Sequence, residues 1–94
     1  MKLIKKIKNL ILFIISIKNK PKLKIDKYGN KYWCLNNDFH REDGPAIEYI
    51  NGDKYWLLNG QNHRIDGPAI EYVNGDKYWY LNNVNYPHLK GGGF

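Results

Sequence analysis

The stretch DGPAIEYINGDKYWLLN at 43–59 is followed by DGPAIEYVNGDKYWYLN at 66–82, and the two copies differ at only two positions. A fainter copy, KYGNKYWCLN, precedes them at 27–36. Corresponding positions, such as Trp33 and Trp56, lie 23 residues apart. A fixed period of this size predicts stacked supersecondary units, because one unit alone cannot bury its apolar face.

Turn residues indicate that each unit is a β-hairpin. Asn51-Gly52 separates two runs rich in aromatic and β-branched residues, which is the strongest short-range hairpin signal. We expect a type I′ turn there, with both central residues at positive φ, and antiparallel pairing of 46–50 with 53–58. Asn59-Gly60 predicts a second turn of the same kind. A short extended run at 61–64 follows this turn. Asp-Gly-Pro at 66–68 ends that run, since proline donates no hydrogen bond to a sheet.

These signals predict an all-β fold: an antiparallel meander of stacked 23-residue β-hairpin repeats behind a short N-terminal basic and apolar helix. The repeat array is expected to span 25–88. A leader helix is expected over 1–24, and the glycine-rich segment 89–94 is expected to form a flexible tail.

The positive charge of the chain is concentrated in the leader. The 94 residues have a formal net charge of +6, and residues 1–27 contain nine lysines against one acid. The remaining residues contain eight acids against six basic side chains, so the array itself is mildly acidic. Aromatic surfaces that bind nucleic acid normally have basic residues beside the rings. We therefore expect no nucleic-acid partner.

The leader has a helical apolar face, with its lysines mostly opposite. Its apolar run is too short to span a hydrocarbon core of about 30 Å. Three interpretations stay open: a signal peptide, a helix lying on anionic lipid, and a helix that caps the sheet. Secretion is disfavoured by the poor signal-peptide cleavage site at 16–18, so we expect a cytoplasmic protein. If the leader lies on anionic lipid, the protein is expected at a membrane surface. That interpretation assigns membrane contact to Lys2, Lys5, Lys6, Lys8, Ile7, Leu10, Ile11 and Ile14.

Strand alternation sorts the aromatic residues of the repeats onto two faces. The Trp and Leu positions of one face are unchanged between copies, which predicts that this face is the packed one. The tyrosine face varies at Leu57, where the next copy has Tyr80, and Leu57→Tyr is therefore predicted to be tolerated. Cross-strand stabilisation and protein binding both stay open for the tyrosines. The expected interaction surface consists of Tyr32, Tyr55, Tyr78, Leu57 and Tyr80.

The strings His40-Arg41-x-Asp43 and His63-Arg64-x-Asp66 are the candidates for metal or acid–base chemistry. Neither is accompanied by a further ligand set or a nucleophile. We expect arginine to pair with aspartate across the turn and histidine to pack on the next copy, without enzyme activity, metal or cofactor. The residues expected to build the repeat are Trp33, Trp56, Trp79, Arg41, Asp43, Arg64, Asp66, Gly52 and Gly75.

The string WLLNGQNHRIDGPA at 56–69 follows the pattern W-x-L-N-G-x-x-H-R-x-D-G-P-A, and WCLNNDFHREDGPA at 33–46 departs from it only at Asn37, where the pattern has glycine. This pattern resembles a variant of the MORN repeat family, and the resemblance covers about 27–87. It implies a hairpin array that binds an unidentified protein partner and is not an enzyme. Some bacterial proteins with related repeats are antitoxins. The alternative that follows is a small cytosolic neutraliser, of antitoxin, viral or mobile-element type, that binds a toxin or host protein.

Overall fold

The computed structural model describes residues 2–87, and the predicted tail at 89–94 lies outside the described residues. The described part contains one helix followed by short strands. These elements are α1 (Lys2–Lys18), β1 (Lys22–Ile25), β2 (Lys31–Leu35), β3 (Asp38–Phe39), β4 (Ile47–Glu48), β5 (Lys54–Tyr55), β6 (Leu57–Leu58), β7 (Gln61–Asn62), β8 (Ile70–Glu71), β9 (Lys77–Leu81) and β10 (Val84–Tyr86).

The main sheet is an antiparallel meander with the strand order β1-β2-β4-β5-β8-β9-β10. β3 also pairs with β2, and β6 and β7 form a separate two-stranded sheet. The predicted fold class, a largely β antiparallel meander behind an N-terminal helix, is therefore confirmed. That the meander is a stack of MORN-like 23-residue repeats stays a prediction.

The connection at Asn51-Gly52 is not the predicted type I′ turn. Gly52 has a φ of 105°, but Asn51 is not among the residues with positive φ. The Tyr49 N–H donates to the Asp53 carbonyl at 3.0 Å, and the Gly52 N–H donates to the Tyr49 carbonyl at 2.9 Å. This pattern is a type I turn closed by a glycine bulge. The Asn51 side chain stabilises it by accepting the Asp53 N–H at 2.9 Å.

At the second predicted turn, Asn59-Gly60, both central residues have positive φ, as a type I′ turn requires. Asn59 and Gly60 have φ values of 51° and 76°. Asparagine pairs occupy the equivalent turns, and all four residues also have positive φ; they are Asn36, Asn37, Asn82 and Asn83. Asparagine tolerates this conformation better than other side chains, so the sequence supplies a suitable residue at every such turn.

Buried apolar residues lie on both faces of the sheet, so the prediction that the tyrosine face is the looser one is corrected. Ala46 alternates with Ile47, pairs with Trp33 and is fully buried on the Trp and Leu face. Ile47 lies directly opposite Tyr32 and Tyr55 in neighbouring strands and is buried. Leu57 is also buried and packs with Ala46 and Ile47. Alternation along a strand shows which residues share a face, but it does not show which face is covered by side chains from the neighbouring strands. Within residues 2–87 the buried apolar residues are Ala46, Ile47, Leu57, Ala69 and Ile70.

The helix α1 does not cover either face of the sheet. Every substantial contact between described elements joins neighbouring strands. The described apolar side chains of α1, from Ile4 to Ile15, remain between 41% and 63% exposed. The capping interpretation of the leader is therefore not what the structure shows. Within residues 2–87, no helix combines the length and the apolar character needed to cross a bilayer.

Candidate interaction surface

The register of the main sheet gives its two faces different chemistry. Tyrosine and isoleucine alternate across the strands on one face, and lysine and glutamate alternate on the other. The first row is Tyr32, Ile47, Tyr55, Ile70 and Tyr78. The second row is Lys31, Glu48, Lys54, Glu71 and Lys77. Opposite charges in directly opposite positions stabilise strand pairing and specify the register.

Five tyrosines form a continuous series of edge-to-face contacts, here called the tyrosine ladder. Its members are Tyr32, Tyr49, Tyr55, Tyr72 and Tyr78. Successive ring centroids lie 6.2, 5.7, 6.0 and 5.7 Å apart, and the ring planes cross at 78° to 89°. These are favourable aromatic geometries, so the ladder joins neighbouring hairpins through side chains as well as through backbone bonds.

Hydrogen bonds and partial burial raise the pKa of two ladder hydroxyls, those of Tyr32 and Tyr55. Tyr55 donates to the Tyr72 hydroxyl at 3.5 Å, and this bond, followed by burial, raises the pKa of Tyr55 above its ordinary value. Burial also raises the pKa of Tyr32, and its hydrogen bond to Asp26 adds to the effect. Both hydroxyls therefore stay protonated at physiological pH and can donate and accept hydrogen bonds.

Only part of the predicted interaction surface lies on the ladder. Tyr32, Tyr55 and Tyr78 belong to it, and Tyr78 is the most exposed of the three. Leu57 is wrong as a surface residue, because it is 8% exposed and lies in the core. Tyr80 is half-buried, and its register partner is Asn85 of β10.

Sequence reasoning missed Tyr49 and Tyr72. Each lies two residues after a buried isoleucine, at 47 and 70, and alternation places it on the same face. The signal was therefore present in the repeated Ile-Glu-Tyr triplet. The predicted surface included only tyrosines of the strand after the turn, which also contains the tryptophans, and none of the strand before it.

On the opposite face, Arg41 stacks on an indole. Its Cζ lies 3.8 Å from the centroid of the Trp33 ring. Its Nε donates to Asp43 Oδ1 at 3.0 Å, and its Nη1 donates to the Pro45 carbonyl at 3.1 Å. The predicted pairing of arginine with aspartate is present, but the stack on tryptophan and the bond to the proline carbonyl were not predicted.

Arg64 makes the same set of contacts 23 residues later. Its Cζ lies 3.9 Å from the Trp56 ring centroid, its Nε donates to Asp66 Oδ1 at 3.0 Å, and its Nη1 donates to the Pro68 carbonyl at 3.1 Å. A Cβ atom placed on Gly67 would lie 2.7 Å from Arg64 Cζ. The Asp-Gly-Pro triplet therefore needs glycine because the guanidinium packs directly against the backbone.

The two histidines connect one turn to the next copy of the sequence, as predicted. His40 Nδ1 accepts the Asn59 N–H at 2.9 Å, and His63 Nδ1 accepts the Asn82 N–H at 3.0 Å. Within residues 2–87, no three His, Cys, Asp or Glu side chains converge in a way that could hold a metal ion. The expectation that the chain is metal-free and non-catalytic stays a prediction.

A groove of about 550 Å³ separates the two Asp-Gly-Pro loops. Its walls include Arg41, Asp43, Trp56, Arg64 and Asp66. Its two arginines are already bonded to the aspartates and to proline carbonyls, and the carboxylates that line it are exposed and hydrated. It is a weaker candidate than the tyrosine ladder.

Comparison of the chain with protein-family models, with curated proteins and with solved structures gave no match. The resemblance to MORN-like repeats therefore stays a prediction based on the residues quoted above.

Proposed function

We propose that this chain is a non-enzymatic protein-binding module built from MORN-like repeats, and that the tyrosine ladder is its contact surface. The observation that supports the proposal most directly is the continuous aromatic ladder on one face of the sheet, which ends in the exposed ring of Tyr78. An aromatic surface of this kind is suited to a protein partner.

The chemistry of the ladder favours protein recognition over catalysis. Tyrosine side chains are rigid, present a large apolar area and end in a hydroxyl, which makes them frequent energetic centres of protein interfaces. The rows beside the ladder consist of aliphatic residues, whereas a nucleic-acid surface would require basic groups beside the rings. The His-Arg-x-Asp strings support this assignment because their polar groups are occupied in connecting the loops.

Photo-crosslinking in the native host tests the proposal. We would replace Tyr49 by p-benzoylphenylalanine in the full chain, with the same replacement at Tyr28 as the control. Tyr28 is more exposed but lies outside the ladder. The expected result is one discrete protein adduct from position 49, competed by unlabelled protein, and none from position 28. Equal adducts at both positions, or none at position 49, would contradict the proposal. An adduct with a toxin would identify the protein as an antitoxin-like neutraliser.

We further propose that α1 attaches the module to an anionic membrane surface. Its described apolar side chains remain exposed, and its lysines can interact with acidic headgroups. Of the predicted contact residues, Lys5, Lys6, Ile7, Lys8, Leu10, Ile11 and Ile14 are on α1 with exposed side chains. The Lys2 side chain lies outside the described residues.

Replacing Leu10 and Ile14 together by glutamate is expected to lower binding to phosphatidylserine vesicles at least tenfold. Burial of each side chain in the interface contributes about 1.5–3 kcal/mol, and about 1.4 kcal/mol corresponds to tenfold. The control is Ile50→Glu with Val73→Glu, because these aliphatic side chains are more exposed than Leu10 and Ile14 but lie on sheet loops. Vesicle sedimentation at low and high salt measures the effect. Equal losses in both double variants would rule out α1 as the membrane contact.

A further inference from the structure

The strand β9 is paired on only one side over its first two residues. β8 pairs with Lys77 and Tyr78, whereas β10 pairs only with 79–81. Within residues 2–87, no strand lies on the outer side of Lys77 and Tyr78. The equivalent strand β5 is paired on both sides, with β4 and with β8. The unpaired segment of β9 is here called the β9 edge.

The turn that precedes the β9 edge also lacks a contact that its two equivalents have. A Cβ atom on Gly29 would lie 3.2 Å from Ile50 Cγ2, and one on Gly52 would lie 3.0 Å from Val73 Cγ2. An aliphatic side chain from the next hairpin therefore covers each of these two glycines. At Gly75, among the described residues, nothing lies within 4 Å of the equivalent point.

A polar side chain beside each turn accepts a backbone N–H from the next hairpin at the first two turns, whereas the third accepts none from the described residues of a further hairpin. Asn30 Oδ1 accepts the Ile50 N–H at 2.9 Å, and Asp53 Oδ1 accepts the Val73 N–H at 2.8 Å. Asp76 occupies the third equivalent position. Its Oδ1 accepts no hydrogen bond from any residue between 2 and 87. A backbone N–H arriving from a further strand would complete the series.

The internal pairings also specify the side chains that an added strand needs. Lys54 lies opposite glutamates in both neighbouring strands, and Tyr55 lies opposite isoleucines in both. The same chemistry at Lys77 and Tyr78 calls for an acidic residue opposite the lysine and an aliphatic residue opposite the tyrosine. A second aliphatic residue three positions after the first would cover Gly75, as Val73 follows Ile70 and covers Gly52.

We propose that the β9 edge binds an extended segment of another protein with the pattern aliphatic–acidic–aromatic–aliphatic, which adds to the sheet as an antiparallel strand. The proposal rests on the proposed protein-binding function but uses a different site from the tyrosine ladder. In strand addition, main-chain hydrogen bonds supply affinity, and side chains at fixed register positions supply specificity.

The strands described between residues 2 and 87 do not include one that a second copy of this chain could supply. Its two Ile-Glu-Tyr strands, β4 and β8, are each paired on both sides. Its outer strand β1 is Lys-Leu-Lys-Ile, which would place lysine near Lys77. Like charges in directly opposite strand positions are destabilising. The charge of the β9 edge therefore favours an acidic segment from a different protein.

The test uses the full chain and a fluorescein-labelled peptide, DGPAIEYVNG, which reproduces 66–75. We expect saturable binding by fluorescence anisotropy and at least tenfold weaker binding of the peptide with lysine in place of glutamate. Asp76→Ala should weaken binding at least tenfold, whereas Asp76→Asn should not, because Asn30 serves as the acceptor at the equivalent turn. Lys77→Glu should reverse the preference between the two peptides, and circular dichroism checks that each variant is folded.

Several results would overturn the proposal. Failure of the peptide to bind, equal binding of both peptides, or no response to Asp76→Ala and Lys77→Glu would each exclude the specified strand. Binding that requires deletion of 88–94 would show that the chain's own tail occupies the edge. A concentration-dependent dimer that the peptide dissociates would assign the edge to self-association. None of these results affects crosslinking at position 49, so failure of this proposal is distinguishable from failure of the proposed function.

Discussion

Replacing Leu57 by alanine is expected to lower the free energy of unfolding by about 2–5 kcal/mol, which is the range for deletion of a buried leucine side chain. Leu57 is 8% exposed and packs with Ala46 and Ile47. Few other described side chains are buried, so the loss is a large fraction of the stability of a small domain. Urea unfolding followed by circular dichroism measures it.

Leu81→Ala is the matched control, because Leu81 lies in the third copy and is 41% exposed. We expect this variant to lose less than about 1 kcal/mol, since little apolar area returns to water. Equal losses in the two variants would show that the core is not centred on Leu57. A larger loss at Leu81 would favour the face that the sequence predicted to be packed.

Leu57→Tyr is expected to destabilise the protein by about 1–3 kcal/mol, because a larger side chain overpacks a filled site. The comparison of copies predicted the opposite, since the next copy has Tyr80. Tyr80 is not buried to the extent of Leu57. Near-identical copies therefore do not have identical environments, and a residue tolerated near the end of the sheet is unsuitable at its centre.

Replacing Arg64 by alanine is the second substitution with a large expected effect, a loss of about 2–4 kcal/mol. A cation–π stack contributes about 0.5–2 kcal/mol and a charge-assisted hydrogen bond about 1.5–3 kcal/mol. The Arg64 side chain is 22% exposed, stacks on Trp56 and donates to the Pro68 carbonyl. Alanine removes all these contacts and leaves the carbonyl without its donor. Thermal and urea unfolding followed by far-ultraviolet circular dichroism measure the loss.

Two further variants separate the stack from the ion pair. Asp66→Ala is expected to cost at most about 1 kcal/mol, because its carboxylate is 86% exposed and well hydrated. Arg64→Lys keeps the charge but loses the planar stack and the fork of donors, so its loss should lie between the other two. If Asp66→Ala costs as much as Arg64→Ala, the ion pair rather than the stack on Trp56 is the main interaction.

The residues of the tyrosine ladder were only partly predictable from the sequence. Three ladder tyrosines, Tyr32, Tyr55 and Tyr78, were expected from the repeated strand after the main turn. Tyr49 and Tyr72 were missed, although alternation from Ile47 and Ile70 would have placed them on the same face. The unpaired β9 edge could not be found from the sequence, because pairing is known only when every neighbouring strand has been placed.

The sequence by itself determined the antiparallel meander and the presence of an N-terminal helix, because turn residues, alternation and helical periodicity are local signals. It set the end of that helix too late, at 24, since α1 ends at Lys18 and β1 (Lys22–Ile25) already pairs with β2. The glycines at 52 and 75 and the asparagines at 59 and 82 are such local signals. The tertiary structure alone decided that the tyrosine face is packed as well as the Trp and Leu face. Ile47 is buried by Tyr32 and Tyr55, which reach it from the two adjacent strands. Burial depends on these long-range neighbours, and alternation along a single strand carries no information about them.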